Sequence, residues 1–255
     1  MNIDVAFTPA EVQALSNKVC IVVDVIRSTS SLAVIMSRKP GKVILTSTVQ
    51  KATKFASKQS VHPLLCGERG GLPPEGFDFG NSPREYQKAN LEGRTLVFTS
   101  SNGTRAIGDV SLAPHVLLGS LLNGTAVVEK ALELACRVNY DILIVCAGRE
   151  EKFAIDDAYC SGYLISSLVG SIPPEETFVL GEGGQAALAI YGYYRDPLRL
   201  MQNSGAGKSI IEIGLGDDIP FVLEKDTFPT VPHLLKEKET DNPQWGFVTF
   251  LSESY

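Results

Sequence analysis

The chain has 255 residues, of which 44% are hydrophobic and 20% are charged, and this composition excludes a disordered or fibrous protein. Its formal net charge of −6 argues against a general affinity for nucleic acids or anionic membrane surfaces. It shows neither a basic N-terminal segment followed by an apolar run nor the roughly 20 consecutive apolar residues of a membrane span, so we expect a cytoplasmic protein.

Strands and helices alternate in the first hundred residues. Apolar runs predict strands at 19–26, 43–45, 64–66 and 95–99, and the segments between them predict helices at 30–38 and 48–57. Another helix is expected to begin at Pro83, because Ser82 and Glu85 match a capping box. Strands that are apolar throughout are typical of parallel sheets, in which both faces are buried.

The alternation continues in the second half of the chain. Strands are predicted at 116–119 and 141–146, helices at 125–137, 156–168 and 186–193, and a last strand at 246–252. We therefore predict an α/β protein of layered α/β/α architecture with a largely parallel or mixed sheet. A single domain over residues 1–255 is expected, and an alternative places a subdomain boundary near residue 172.

The segment Asp24 to Ser30 follows the first predicted strand of the sheet and opens a helix. Ligands of parallel α/β sheets bind beyond the carboxyl ends of strands. Asp24 suits a hard cation, Arg27 can bind a phosphate with two N–H groups, and Ser28 and Thr29 can donate to the remaining oxygens. The alternative is a capped helix with a solvated Asp–Arg pair.

The loop after the strand at 95–99 has a similar composition. Asn102 and Thr104 are polar, Gly103 permits close backbone approach, and Arg105 supplies a second cation. Such a sequence by itself is typical of a turn. Two such loops at one sheet edge indicate more than a turn, because repulsion between Arg27 and Arg105 would be relieved by a bound anion or by acidic partners.

Acidic residues precede the helix that follows the strand at 141–146. Asp156 and Asp157 lie at its start, where carboxylates also stabilise the helix dipole. One of them could join Asp24 in binding magnesium, which prefers oxygen ligands. The glycine-rich loop at 67–81 is expected to add Glu68 and Arg69 to the same site.

Two segments of the second half of the chain partly match nucleotide-binding motifs. The segment GEGGQA at 181–186 fits GxGxxA, but no acidic residue follows about 20 positions later to bind a ribose, so a nucleotide-dependent oxidoreductase is the weaker alternative. The segment GKS at 207–209 resembles the end of a P-loop. Gln202 occupies the position of the first glycine, so this match is rejected.

Four segments, DVIRSTS, GERGGLPPEGFDFGNSP, TSSNGTRAI and CAGREEKFAIDDAYCSG, together resemble the signature segments of the 2-phosphosulfolactate phosphatase family. The resemblance covers most of residues 1–170. It implies hydrolysis of 2-phospho-3-sulfolactate to sulfolactate with Mg²⁺, a step of coenzyme M synthesis in methanogens. The residues in matching segments are Asp24, Arg27, Thr29, Glu68, Arg69, Asn81, Asn102, Gly103, Thr104, Arg105, Asp156 and Asp157.

The implied ligand is a small anionic phosphorylated hydroxy acid. Asp24, with Asp156 or Asp157, is expected to hold the metal, while Arg27 and Arg105 neutralise charge on the leaving oxygen. Arg69 and free helix amides are candidates for binding the substrate's carboxylate and sulfonate. Other 2-phospho hydroxy acids, a noncatalytic binder of phosphorylated metabolites, and assembly into a homo-oligomer stay open.

Overall fold

The computed structural model describes residues 1–172, 177–235 and 249–250, which contain two five-stranded sheets. The first sheet is parallel and has the order β6-β2-β7-β1-β8. In the second, of order β4-β5-β3-β10-β9, only the pairings of β10 are antiparallel. The strands are β1 (Asn2–Ala6), β2 (Lys18–Val23), β3 (Lys42–Thr46), β4 (Leu64–Gly67), β5 (Thr95–Thr99), β6 (His115–Gly119), β7 (Asp141–Cys146), β8 (Val179–Leu180), β9 (Leu234–Leu235) and β10 (Thr249–Phe250).

Ten α-helices lie between these strands within the described residues. They are α1 (Ser28–Ser37), α2 (Val49–Ala56), α3 (Pro83–Lys88), α4 (Gly103–Asp109), α5 (Gly124–Val138), α6 (Ile155–Ser171), α7 (Glu182–Tyr193), α8 (Pro197–Asn203), α9 (Gly205–Glu212) and α10 (Asp218–Val222). Short 3-10 helices occupy Pro9–Glu11 and Leu121–Asn123. None of the helices in the described part of the chain is long and apolar enough to cross a membrane. The predicted layered α/β class is confirmed.

Side-chain alternation along the strands divides the core. In β2, Val19 and Ile21 pack with α5 and α6 on one face, whereas Cys20 and Val22 face the space between the two sheets. Helix α1 belongs to this middle layer, where its residues from Ser28 to Met36 are all buried. A helix buried on all sides needs no polar face, which explains why the turn from Leu32 to Met36 is apolar throughout.

The capping-box prediction at α3 is wrong, although the helix does begin at Pro83. The Ser82 side chain forms no cap hydrogen bond, because its hydroxyl instead donates to Asp218 Oδ1 at 2.6 Å. A tertiary partner therefore replaces the local one.

The glycines of the GEGGQA segment pack α7 against β1. A Cβ atom on Gly183 would collide with the carbonyl oxygen of Val5. The Gly184 amide donates to Asp4 Oδ1 at 2.9 Å, so a carboxylate of the chain occupies the start of this helix, where a pyrophosphate would have to bind. The fold thus accounts for the motif without a dinucleotide.

The predicted last strand is confirmed at Thr249–Phe250, which pairs antiparallel with β3. The rest of the predicted range 246–252 lies outside the described residues. The boundary near residue 172 adjoins residues 173–176, which also lie outside them, and it stays a prediction.

Candidate active site

A cavity of about 300 Å³ opens beyond the carboxyl ends of β2, β4, β5 and β7. Loops after these strands supply Asp24, Glu68, Asn102 and Arg149 to its lining, and helix α9 forms part of the opposite wall. The volume lies at the lower end of the range for small-molecule sites, roughly 300–1,000 Å³. Parallel strand order therefore brings together residues that are far apart in sequence.

Asp24 is a buried carboxylate held at the cavity wall by the start of α1. Its carboxylate accepts hydrogen bonds from Ser28 and from the backbone amide of Gly103. Burial, together with a smaller effect of the nearby Glu68 charge, raises the pKa of Asp24 to about 6 in spite of these hydrogen bonds, which lower it. Gly103 fits here because a Cβ atom would lie 2.7 Å from Asp24 Oδ2.

Asp157 holds two loops together from the first turn of α6. Its Oδ1 accepts from the Val25 amide at 2.9 Å, and its Oδ2 accepts from the Gly148 amide at 3.1 Å. Burial and the charges of Asp156 and Asp24 raise the pKa of Asp157 well above its usual range. Both oxygens are thus engaged by the backbone.

Asp156 differs from its neighbour, because its buried Oδ1 atom has no hydrogen-bond partner in the part of the chain that the structure describes. Burial, together with the Asp24 charge, raises the pKa of Asp156 to about 6. Hydrogen bonding to Ser204 and the charge of Arg149 act in the opposite direction. A buried carboxylate oxygen without a donor fits a cation, or a ligand that brings its own donor.

Three carboxylates around one cavity do not by themselves form a metal cage. Within residues 1–172 and 177–235, no group of three or more His, Cys, Asp or Glu side chains is arranged to hold a metal ion. The metal roles of Asp24, Asp156 and Asp157 stay predictions. Mg²⁺ commonly takes only one or two carboxylates together with waters and substrate oxygens, so its binding does not require such a group.

Glu68 and Asn81 line the cavity as the sequence predicted. The Glu68 carboxylate accepts from the amides of Ser101 at 2.6 Å and Gly71 at 2.9 Å, which ties the loops after β4 and β5 together. Asn81 donates to Ser28 Oγ at 3.5 Å, while its buried Oδ1 has no partner in the described structure. Asn81 therefore offers an acceptor to a ligand.

Arg27 reaches the cavity but is already paired. Its Nη1 lies 2.8 Å from Asp218 Oδ2, and its Nη2 donates to the Gly71 carbonyl at 2.6 Å. Both members of the ion pair are buried. Arg27 thus presents a fixed guanidinium whose charge is balanced by a carboxylate, and its role as a phosphate clamp stays a prediction.

Two predicted threonines lie behind the cavity wall. Thr29 Oγ1 donates to the carbonyl of Asp24 at 3.0 Å, and Thr104 Oγ1 donates to the carbonyl of Ser100 at 2.8 Å. Neither residue lines the cavity. Their hydrogen bonds stabilise the loops that carry Asp24 and Asn102.

The two other predicted arginines also lie off the cavity. Arg69 donates to the Glu68 carbonyl at 2.6 Å and to Thr99 Oγ1 at 2.8 Å. Arg105 Nη1 pairs with Glu151 Oε1 at 3.0 Å, and Glu151 is exposed. Its Nη2 atom is buried and has no hydrogen-bond partner within the described residues, and the catalytic role of Arg105 stays a prediction.

Sequence reasoning missed Arg149, Ser209 and Asp218. Arg149 stands inside the segment CAGREE, so its position after a strand could have indicated it. Ser209 lines the cavity from α9, and Asp218 acts through Arg27 from the start of α10. Neither has a local sequence signal, because each is brought to the site by packing of the C-terminal helices.

Comparisons with a family model and with known proteins point to the same family. A family model described as 2-phosphosulpholactate phosphatase matches residues 6–237. A protein of Clostridium acetobutylicum named "Probable 2-phosphosulfolactate phosphatase" is 36% identical over 234 residues, which cover 91% of this chain and 97% of the relative. A protein of Thermus thermophilus with the same name is 37% identical over 219 residues, which cover 85% of this chain and 87% of the relative. One of Thermotoga petrophila, also with this name, is 32% identical over 234 residues, which cover 91% of this chain and 95% of the relative. The similarity includes every strand that borders the cavity.

Proposed function

This chain belongs to the 2-phosphosulfolactate phosphatase family, and we propose that its cavity hydrolyses 2-phospho-3-sulfolactate, in the 2R form, to 3-sulfolactate and phosphate with Mg²⁺. The enzyme class is phosphoric monoester hydrolase. A place in coenzyme M synthesis and a cytoplasmic location are part of the same proposal. The names of the relatives support the reaction, and the chemistry of the cavity supports the need for a cation.

The observation that carries the proposal is the partnerless Oδ1 atom of Asp156 beside Asp24 in one small cavity. Two buried carboxylates would repel a phosphate dianion. A hard cation removes this repulsion, and carboxylate oxygens are the ligands that Mg²⁺ prefers. Asp24 and Asp156 would hold it, and when bound it would supply positive charge that polarises the phosphoryl group.

The chain's own residues would orient the reacting groups. Hydrogen bonds from Ser28 and Gly103 fix the Asp24 carboxylate, and the paired Arg27 would offer its remaining N–H groups to a phosphoryl or leaving oxygen. Asp157 is already bound by two amides, so we assign it to positioning the loops after β2 and β7.

Proton transfer from an attacking water requires a carboxylate that faces the cavity. Asp24 and Asp156 both face it, and burial raises the pKa of each to about 6, closer to neutral pH, where a general base is most effective. Either carboxylate could accept the proton through an oxygen that does not contact the cation, while the small volume of the cavity restricts the number of competing waters.

The proposal is tested by measuring phosphate release from a panel of 2-phospho hydroxy acids, with Mg²⁺ and with a chelator. We expect Mg²⁺-dependent release, fastest with 2-phospho-3-sulfolactate. Binding of these compounds without any release would identify a noncatalytic binder. Faster release from another member of the panel, such as 2-phospholactate or phosphoglycolate, would reassign the substrate.

A further inference from the structure

The cavity has two cationic side chains in the described part of its lining, Arg27 and Arg149. The charge of Arg27 is balanced by Asp218 at 2.8 Å. Arg149, in contrast, forms no ion pair within the described residues. Arg27 thus contacts a carboxylate directly, whereas the Arg149 charge acts on Asp156 without an ion pair.

The Arg149 guanidinium is held in place by neutral acceptors on and beside α9. Its Nη1 donates to the carbonyl of Gly205, and its Nη2 donates to Ser209 Oγ at 2.7 Å. These bonds fix the planar group without neutralising it. An arginine whose orientation is fixed before a ligand arrives loses little side-chain entropy when it binds a carboxylate or sulfonate.

A substrate of the proposed kind brings more negative charge than the phosphate alone. In the proposed function, the phosphate ester would bind to Arg27 and to the cation held by Asp24 and Asp156. The other arginines that the sequence assigned to the substrate, Arg69 and Arg105, do not line the cavity. Beside Arg149, the apolar side chains of Ala206 and Ile210 offer a surface for the carbon chain of a small acid.

We propose that Arg149 is a substrate-binding residue that determines specificity by contacting the acid group, carboxylate or sulfonate, that the substrate keeps after its phosphate leaves. The inference rests on the proposed function. Because the contact is the same in substrate and product, it contributes to binding of both and not to the chemical step.

The test compares wild type with Arg149→Gln in steady-state kinetics and product inhibition. We expect KM and the inhibition constant of 3-sulfolactate to rise at least about tenfold, because this is the loss typical of a charge-assisted contact. The kcat of the variant should stay within about threefold of the wild-type value. The inhibition constant of inorganic phosphate should not change, because the proposed contact is with the acid group that the substrate keeps and not with its phosphate. Arg149→Lys, which keeps the charge but not the fork, should give an intermediate result.

Two controls separate this role from a structural one. Arg137→Gln removes an exposed arginine at the end of α5 and should leave every constant unchanged. Unchanged phosphate inhibition in the Arg149 variants shows that the cavity is still folded. Two results would place Arg149 at the phosphoryl group and overturn the inference. One is a fall in kcat at constant KM, and the other is a rise in the inhibition constant of phosphate as large as that of 3-sulfolactate.

Direct binding keeps the inference separate from the proposed function. Calorimetry with 3-sulfolactate, lactate and 2-hydroxyethanesulfonate needs no turnover, so it decides the role of Arg149 even if no phosphate is released. Weaker binding of lactate to Arg149→Gln identifies the carboxylate as the group bound, and weaker binding of 2-hydroxyethanesulfonate identifies the sulfonate. If Arg149→Gln binds all three as wild type does, the inference is wrong.

Discussion

The Nη1 atom of Arg27 lies 2.8 Å from the Oδ2 atom of Asp218, and this buried ion pair joins the loop after β2 to the start of α10. Removal of one partner leaves a buried charge uncompensated, which typically costs about 3–5 kcal/mol. We therefore expect Asp218→Ala to lower the free energy of unfolding by about this amount, measured by urea denaturation.

The adjacent residue provides a matched control for that experiment. Asp217 also pairs with an arginine, Arg84, at 3.0 Å, but its side chain is exposed. Asp217→Ala should cost about 1 kcal/mol or less, because solvent screens exposed pairs. Equal effects of the two substitutions would show that burial of the Arg27 pair is not what stabilises the protein.

Gly103 is required by the close approach of two loops. A Cβ atom there would lie 2.6 Å from Ser28 Cβ and 2.7 Å from Asp24 Oδ2, so Gly103→Ala must displace Asp24. We expect kcat/KM for phosphate release to fall at least about tenfold. Gly108, in the same helix, has open space around it, and Gly108→Ala should keep activity while adding about 0.5–1 kcal/mol of stability.

Stability of the metal-free protein should decrease as pH rises. Burial raises the pKa values of Asp24 and Asp156 from 3.8 to about 6, so the folded state binds more protons than the unfolded state between these values. Their favourable contribution is full below the unfolded pKa and is lost as pH rises through about 6. Urea denaturation with a chelator from about pH 5 to pH 8 should show this decrease, and Mg²⁺ should reduce it at the upper end. A rise in stability over that range would contradict the assignment.

Asparagine substitutions should separate the two neighbouring aspartates. In Asp157→Asn, one oxygen that accepts from Val25 or Gly148 becomes a donor facing a donor, which should cost about 1–3 kcal/mol in the free energy of unfolding. Asp156→Asn should not destabilise the protein at neutral pH, because it removes a buried charge whose Oδ1 has no partner. Equal destabilisation by both changes would mean that the two carboxylates serve the same structural role.

Local sequence patterns predicted the elements that depend on local burial. The strands Thr95–Thr99 and Asp141–Cys146 were predicted with the bounds that the structure shows, since each is a continuous apolar run between polar loops. The division into two sheets was not predicted, because it depends on pairing between distant strands. Strand β2 ends at Val23, three residues before the predicted end, as the chain turns there to bring Asp24 to the cavity.

The candidate site was predicted in part for a similar reason. Asp24, Glu68 and Asn102 stand within three residues of a strand end, and Asp156 opens the helix after β7, so the rule that ligands bind beyond the carboxyl ends of strands indicated them. Arg27 and Asp218 are 191 positions apart, so no local sequence pattern in either segment indicates that they pair. The distinction between cavity-lining and loop-stabilising residues likewise depends on side-chain directions that spacing alone does not give.

The most direct test of Mg²⁺-dependent hydrolysis is the initial rate of phosphate release from 2-phospho-3-sulfolactate by wild type and by Asp24→Asn, each with Mg²⁺ and with a chelator. We predict Mg²⁺-dependent release by wild type and a rate at least about tenfold lower for Asp24→Asn, equivalent to about 1.4 kcal/mol of barrier. Release that persists in the chelator, or an Asp24→Asn enzyme as fast as wild type, would contradict the central claim.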